Sequence, residues 1–138
     1  MNTKSLANQI ASHHATRDPF CLAEDLGFIV IRTPLIGTRG LQQRAKRQTI
    51  IYVNADLDEQ QQRIVCAHEL GHYFLHRGMN RMFMDRGTRM VSNKFEQEAN
   101  RFAVDFLYED RDLLDCADWS LSQLSAWMGV PPSWQPIV

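Results

Sequence analysis

Val65-Cys66-Ala67-His68-Glu69-Leu70-Gly71-His72-Tyr73-Phe74-Leu75-His76 is the stretch that organises this chain of 138 residues. At about 100° per residue, His68 and His72 fall about 40° apart on one helix face, one turn removed. Two imidazoles so placed can converge on one ion, each nitrogen about 2.0–2.1 Å from it. Glu69 lies next to them, where a carboxylate can take a proton from a metal-held water without being a ligand. Zinc lowers the pKa of such a water from roughly 15.7 to about 7. The proton can then pass through Glu69 to a leaving amine. Ala67, Leu70 and Phe74 form the opposite side, which packs on a core. Gly71 costs about 1 kcal/mol relative to Ala inside a helix. Its bare surface would allow a strand or substrate to come close beside the metal.

Two histidines leave a catalytic zinc site one protein ligand short, with water in the fourth position. His76 continues the same helix another turn along, so it suits a supporting or structural place rather than a third ligand. That ligand is expected from a second helix running from about Asn93 to Tyr108, through Phe95-Glu96-Gln97-Glu98-Ala99-Asn100-Arg101-Phe102-Ala103. Its apolar face is Phe95, Ala99, Phe102, Ala103 and Phe106. Glu96 and Glu98 flank that face on opposite sides by about equal angles, so periodicity does not choose between them.

Working outward, the active helix is expected from about Asp58 to His76, with Asp56 and Glu59 as a capping box and Gly78 as its stop. The second helix has Asn93 and Glu96 in the same capping relation, after a loop-like Arg77 to Ser92. Upstream, Leu6 and Ile10 repeat at helical spacing. Asp18 and Pro19 then cap and open a short helix that Gly27 stops. Phe28-Ile29-Val30-Ile31 reads as a strand, followed by a hairpin of Gly40–Arg44 and Thr49–Val53. Ser120 and Gln123 mark a last helix ending at Gly129, whose Leu121, Leu124, Trp127 and Met128 stripe suits a core or a dimer face. Helices, strands and helices in that order indicate an α+β domain over residues 1–138, not alternating βαβ units. The expected fold is a minimal zincin-like domain, with a small antiparallel sheet packed on the active-site helix and on the helix bearing the third ligand.

Composition sets the outer bounds. No apolar run approaches the length of a membrane span, and Met1 to Ile10 lacks the apolar core of a signal peptide. Cys21, Cys66 and Cys116 are scattered and odd in number, which fits buried thiols in a reducing cytoplasm. The formal net charge of −1 argues against a dedicated nucleic-acid binder. Its distribution is uneven: Arg32 to Lys94 holds eleven Lys/Arg against five Asp/Glu, and Glu109 to Val138 five acids against one Arg. Besides solvated loops, a basic rim beside a cleft would suit an acidic partner segment.

The pairing of His68-Glu69-Leu70-Gly71-His72 and His76 with Glu96-Gln97-Glu98-Ala99-Asn100-Arg101-Phe102-Ala103 resembles the ImmA/IrrE family of metallopeptidases. The Thr49–Val53 strand and the Asp58-Glu59 helix start extend that resemblance over roughly residues 25–130. It implies Zn2+ held by His68, His72 and the Glu preceding Ala-Asn, which is Glu98, with Glu96 at the periphery and Glu69 as catalytic base. It also implies an endopeptidase that cleaves, or otherwise inactivates, a partner helix-turn-helix repressor of a phage, mobile element or stress response. Composition and charge give the expectation of a cytoplasmic protein with no membrane and no direct nucleic-acid binding. With little sequence after Gly129-Val130-Pro131, no appended sensor domain is expected, and a stand-alone enzyme or half of a two-gene switch fits that expectation. A non-catalytic zinc module that sequesters a repressor, or the toxin of a toxin–antitoxin pair, would use the same residues. Tyr52, Tyr73, His76, His13 and His14 are candidates for stabilising an oxyanion opposite Glu69. The Thr49–Val53 strand is a candidate edge for an extended substrate.

Overall fold

The computed structural model describes residues 2–76 and 89–108. Helix α1 spans Thr3–His14 and α2 spans Pro19–Asp25. Strands β1 (Ile29–Thr33), β2 (Gly40–Ala45) and β3 (Gln48–Asn54) follow, then helices α3 (Glu59–Leu75) and α4 (Arg89–Leu107). The architecture is α+β, as the element order indicates. The expected Ser120–Gly129 helix and the Gly78 stop lie outside the described residues.

Local chemistry explains most boundaries. The Asp18 carboxylate accepts from the Phe20 N–H at 2.9 Å, and Pro19 occupies the first helical position, where its missing N–H costs nothing. Asn2 caps α1 by accepting from the Lys4 and Ser5 N–H groups. The cap of α3 is Asp58, which accepts from Gln61 N–H at 2.8 Å, rather than Asp56. Asn93, expected as a cap, lies inside α4, which begins four residues earlier at Arg89.

The sheet is mixed, in the order β1-β3-β2, instead of wholly antiparallel. Lys46 and Arg47 both take positive φ values, 49° and 70°, giving a tight two-residue hairpin whose twist suits the flanking strands. That hairpin carries β3 back between its partner β2 and the earlier β1, which runs parallel to it. Thr49–Val53 is therefore the central strand and not an edge.

Alternate residues of β3 turn inward: Thr49, Ile51 and Val53 are buried. Ile51 and Val53 join Val65, Cys66 and Leu70 of α3, Phe102 and Phe106 of α4, and Ala7, Ile10 and Leu22 in one core. Helices α3 and α4 run antiparallel, because the Gln60 amide donates to the Tyr108 hydroxyl (2.5 Å) at one end while His72 meets Glu96 at the other. Gly71 makes that approach possible. A Cβ there would lie 3.1 Å from the Ala99 carbonyl oxygen and 3.1 Å from Phe102 Cβ, so the close neighbour is a helix, not a strand or substrate. Among the described residues, no helix is long and apolar enough to cross a membrane.

Candidate metal centre

One turn of α3 places His68 and His72 together, their rings 4.7 Å apart and edge to face. Both are buried, at 7 % and 2 % exposure. Their Nε2 atoms point to the same carboxylate: His68 Nε2 is 2.9 Å from Glu96 Oε2, and His72 Nε2 is 2.9 Å from Glu96 Oε1. The Glu96 side chain is half-exposed, so the histidines form the inner wall and Glu96 the solvent side.

Helix packing decides which acid arrives. With Ala99 and Phe102 seated on Gly71, Glu96 falls on the flank that meets His68 and His72. Glu98, expected as the third ligand, falls on the other flank, with its Oε2 4.0 Å from His76 Nε2. The structure thus brings Glu96 to the two histidines and Glu98 to the third. His76 is buried, hydrogen-bonded through Nδ1 to His72 Nδ1 at 3.0 Å, and packed on the Phe95 ring at 4.3 Å.

The three donors fit a metal ion. One ligand atom from each of His68, His72 and Glu96 lies within 4.8 Å of the others. Two ligands about 2.0–2.1 Å from a tetrahedral ion lie about 3.3 Å apart, so small adjustments would open this cluster around one. Two imidazoles and a carboxylate are a zinc donor set, and they leave a position for substrate or water. Burial would raise the Glu96 pKa, but hydrogen bonds from His68 and His72, and then their charge, outweigh it and hold the carboxyl well below its ordinary range.

Glu69, the expected base, is one residue along from His68 and only 3 % exposed. Its backbone carbonyl accepts from Gln42 Nε2 at 2.7 Å, which ties β2 to the helix beside the site. No spacing signal in the sequence points to Gln42; only the strand pairing puts it there. Cys66 is buried, and burial followed by the nearby Glu69 charge pushes its thiol pKa up, which makes it an inert core residue.

The oxyanion candidates divide. The Tyr52 hydroxyl donates to Gln43 Oε1 at 3.1 Å, on the sheet face turned away from the core. His14 pairs with Asp25 at 3.4 Å, with His13 stacked edge-on against it. Tyr73 packs edge-to-face on Phe28. Of the five, His76 touches the cluster of His68, His72 and Glu96, through His72.

Comparison with known proteins gives the chain its relatives. Residues 23–126 match the peptidase M78 family, described as the IrrE N-terminal-like domain. The chain is 28 % identical over 134 residues to Metallopeptidase ImmA of Bacillus subtilis, covering 93 % of this chain and 78 % of that protein. It is 31 % identical over 131 residues to a protein of Bacillus phage phi105 named "Uncharacterized immunity region protein 2", covering 93 % of this chain and 83 % of the relative. A match over residues 23–126, most of the chain, places it in the ImmA/IrrE family of metallopeptidases.

Proposed function

We propose that this chain is a zinc-dependent endopeptidase with His68, His72 and Glu96 as metal ligands and Glu69 as general base. The observation that carries this reading is the convergence of two buried imidazole Nε2 atoms on the two oxygens of one carboxylate. Zinc held there supplies Lewis acidity and lowers the pKa of water to about 7. Glu69 takes the proton of the attacking water and returns it to the leaving amine. The carboxylate of Glu96 balances positive charge at the site, and the buried wall of α3 excludes bulk water from one side.

An extended substrate segment would pair with β2, the edge of the sheet held against α3 by Gln42. The proposed substrate is a cytoplasmic DNA-binding repressor. The family resemblance suggests that class, and the phage relative's "immunity region" name is compatible with it.

The test is elemental analysis of the purified chain, followed by mass spectrometry of candidate repressors incubated with it. One zinc per chain and a cleaved repressor, with cleavage lost in Glu69→Gln while zinc remains, is the expected result. A folded wild type that refuses zinc overturns the metal site. A Glu69→Gln variant that still relieves repression would instead make the protein a sequestering module.

A further inference from the structure

Glu98 and His76 stand outside the three-donor cluster, yet each is one contact from the next. His72 Nδ1 meets His76 Nδ1 at 3.0 Å, and His76 Nε2 faces Glu98 Oε2 at 4.0 Å. The contacts form a line: Glu96, His72, His76, Glu98. Glu96 meets the outer nitrogen of His72 at 2.9 Å, so His72 is held at both nitrogens.

Proton counting gives this line a direction. A neutral imidazole carries one proton, and its other nitrogen is an acceptor. If His72 Nε2 ligates a metal, its lone pair is used there and its proton must sit on Nδ1. That N–H then donates to His76 Nδ1, which must be the acceptor, so the His76 proton lies on Nε2. That nitrogen faces Glu98. A separation of 4.0 Å is too long for a hydrogen bond, but a carboxylate on that side favours an N–H over a lone pair. Without metal, and with both imidazoles neutral, the same contacts would run in reverse, His72 Nε2–H donating to the Glu96 carboxylate and His76 Nδ1–H to His72 Nδ1.

We propose that His76 is a positioning residue for the metal centre: it accepts the Nδ1–H of His72, fixes the tautomer that turns Nε2 to the metal, and is itself biased by Glu98. This rests on the metal reading above. It gives Glu98 a place in the site other than that of a ligand. Burial of His76 and its tilted contact with the Phe95 ring keep the imidazole from rotating away from His72. Ligand histidines braced in this way are common in metal sites, and loss of the brace typically weakens metal binding about 10- to 100-fold.

The experiment separates bracing from space filling. His76→Phe keeps a ring against Phe95 but removes the acceptor, whereas His76→Asn keeps an acceptor oxygen near the Nδ1 position. Zinc affinity, read by competition with a chromophoric chelator, is expected to fall about 10- to 100-fold in His76→Phe and to recover largely in His76→Asn. Glu98→Gln is expected to weaken it less. In wild type, long-range proton–nitrogen NMR is expected to show His72 protonated on Nδ1 and His76 on Nε2 with zinc bound, and both reversed without it. The spectra decide the matter even if a variant fails to fold. Unchanged affinity in folded His76→Phe, or zinc-loaded His76 protonated on Nδ1, overturns the inference and leaves the metal site standing. A folded wild type that binds no zinc overturns the metal reading itself.

Discussion

At Glu96 and Glu98, two acids of one type two positions apart face different partners. The amino-acid pattern could not separate them, because both flank the apolar face of α4 by similar angles. What separates them is the rotation of α4 against α3, set where Ala99 and Phe102 meet Gly71. His68 and His72 were legible at once, since helical spacing alone puts them on one face. Glu96→Ala is expected to lower zinc content well below one per chain, while Glu98→Ala keeps near-stoichiometric zinc at reduced affinity; elemental analysis after dialysis against metal-free buffer compares them. The depressed Glu96 pKa has a consequence for the zinc-free chain. A carboxyl whose folded value lies below its unfolded one adds stability that is present above the unfolded value, about 4.3, and is lost as pH falls through the folded one. The stability advantage of zinc-free wild type over Glu96→Gln is therefore expected to be larger at pH 7 than at pH 3, as read by urea denaturation at both.

Among the elements, α2 was readable because its capping is local: Asp18, Pro19 and an apolar period lie within a few residues of each other. Helix α3 was readable from its apolar period, and its cap is Asp58, not the Asp56 that the capping-box pattern suggested. The mixed sheet was not readable in the same way. Nothing in Gln48–Asn54 tells it to lie between β1 and β2; that follows from a hairpin whose Lys46-Arg47 turn lacks the usual Asn-Gly signal. The elements also meet closely at two glycines. A Cβ on Gly40 would run into Val65 Cγ1 and lie 2.9 Å from the Tyr52 carbonyl oxygen, with strand backbone on one side and buried α3 on the other. A Cβ on Gly71 would meet contacts of 3.1 Å from a helix carbonyl and a fully buried Phe102, neither of which is the loose end of a flexible side chain. Both Ala substitutions overpack, at a typical cost of about 1–3 kcal/mol. The gain of about 1 kcal/mol in helix propensity offsets part of this at Gly71 but not at Gly40. Thermal melts are expected to rank stability as wild type, Gly71→Ala, Gly40→Ala. Gly71→Ala should also bind zinc more weakly, because displacing α4 moves Glu96 from His68 and His72.

Across the whole molecule, α4 joins distant parts of the chain. Thr3 Oγ1 donates to Asp105 Oδ2 at 2.9 Å, Arg17 donates to the Phe106 carbonyl at 2.9 Å, and Gln60 donates to Tyr108, so the far end of α4 is held by α1, the following turn and α3. The near end is held by Gly71 packing and by Glu96 on the histidines. A metal in that cluster would link α3 and α4 where the carboxylate alone now does. Ligand bound only to the folded state stabilises it by about 2.7 kcal/mol at a free concentration one hundred times the dissociation constant. For a chain of this size that corresponds to a rise in Tm of about 10 °C. Zinc addition is expected to produce such a shift in wild type and EDTA to remove it. The same shift separates holding the metal from using it. Glu69→Gln removes the base but no ligand, so it should retain the zinc-dependent rise while losing peptide-bond hydrolysis. His72→Ala removes a ligand and should lose both. If Glu69→Gln also lost the thermal shift, Glu69 would be part of the metal's hold, and its assignment as general base would have to be abandoned.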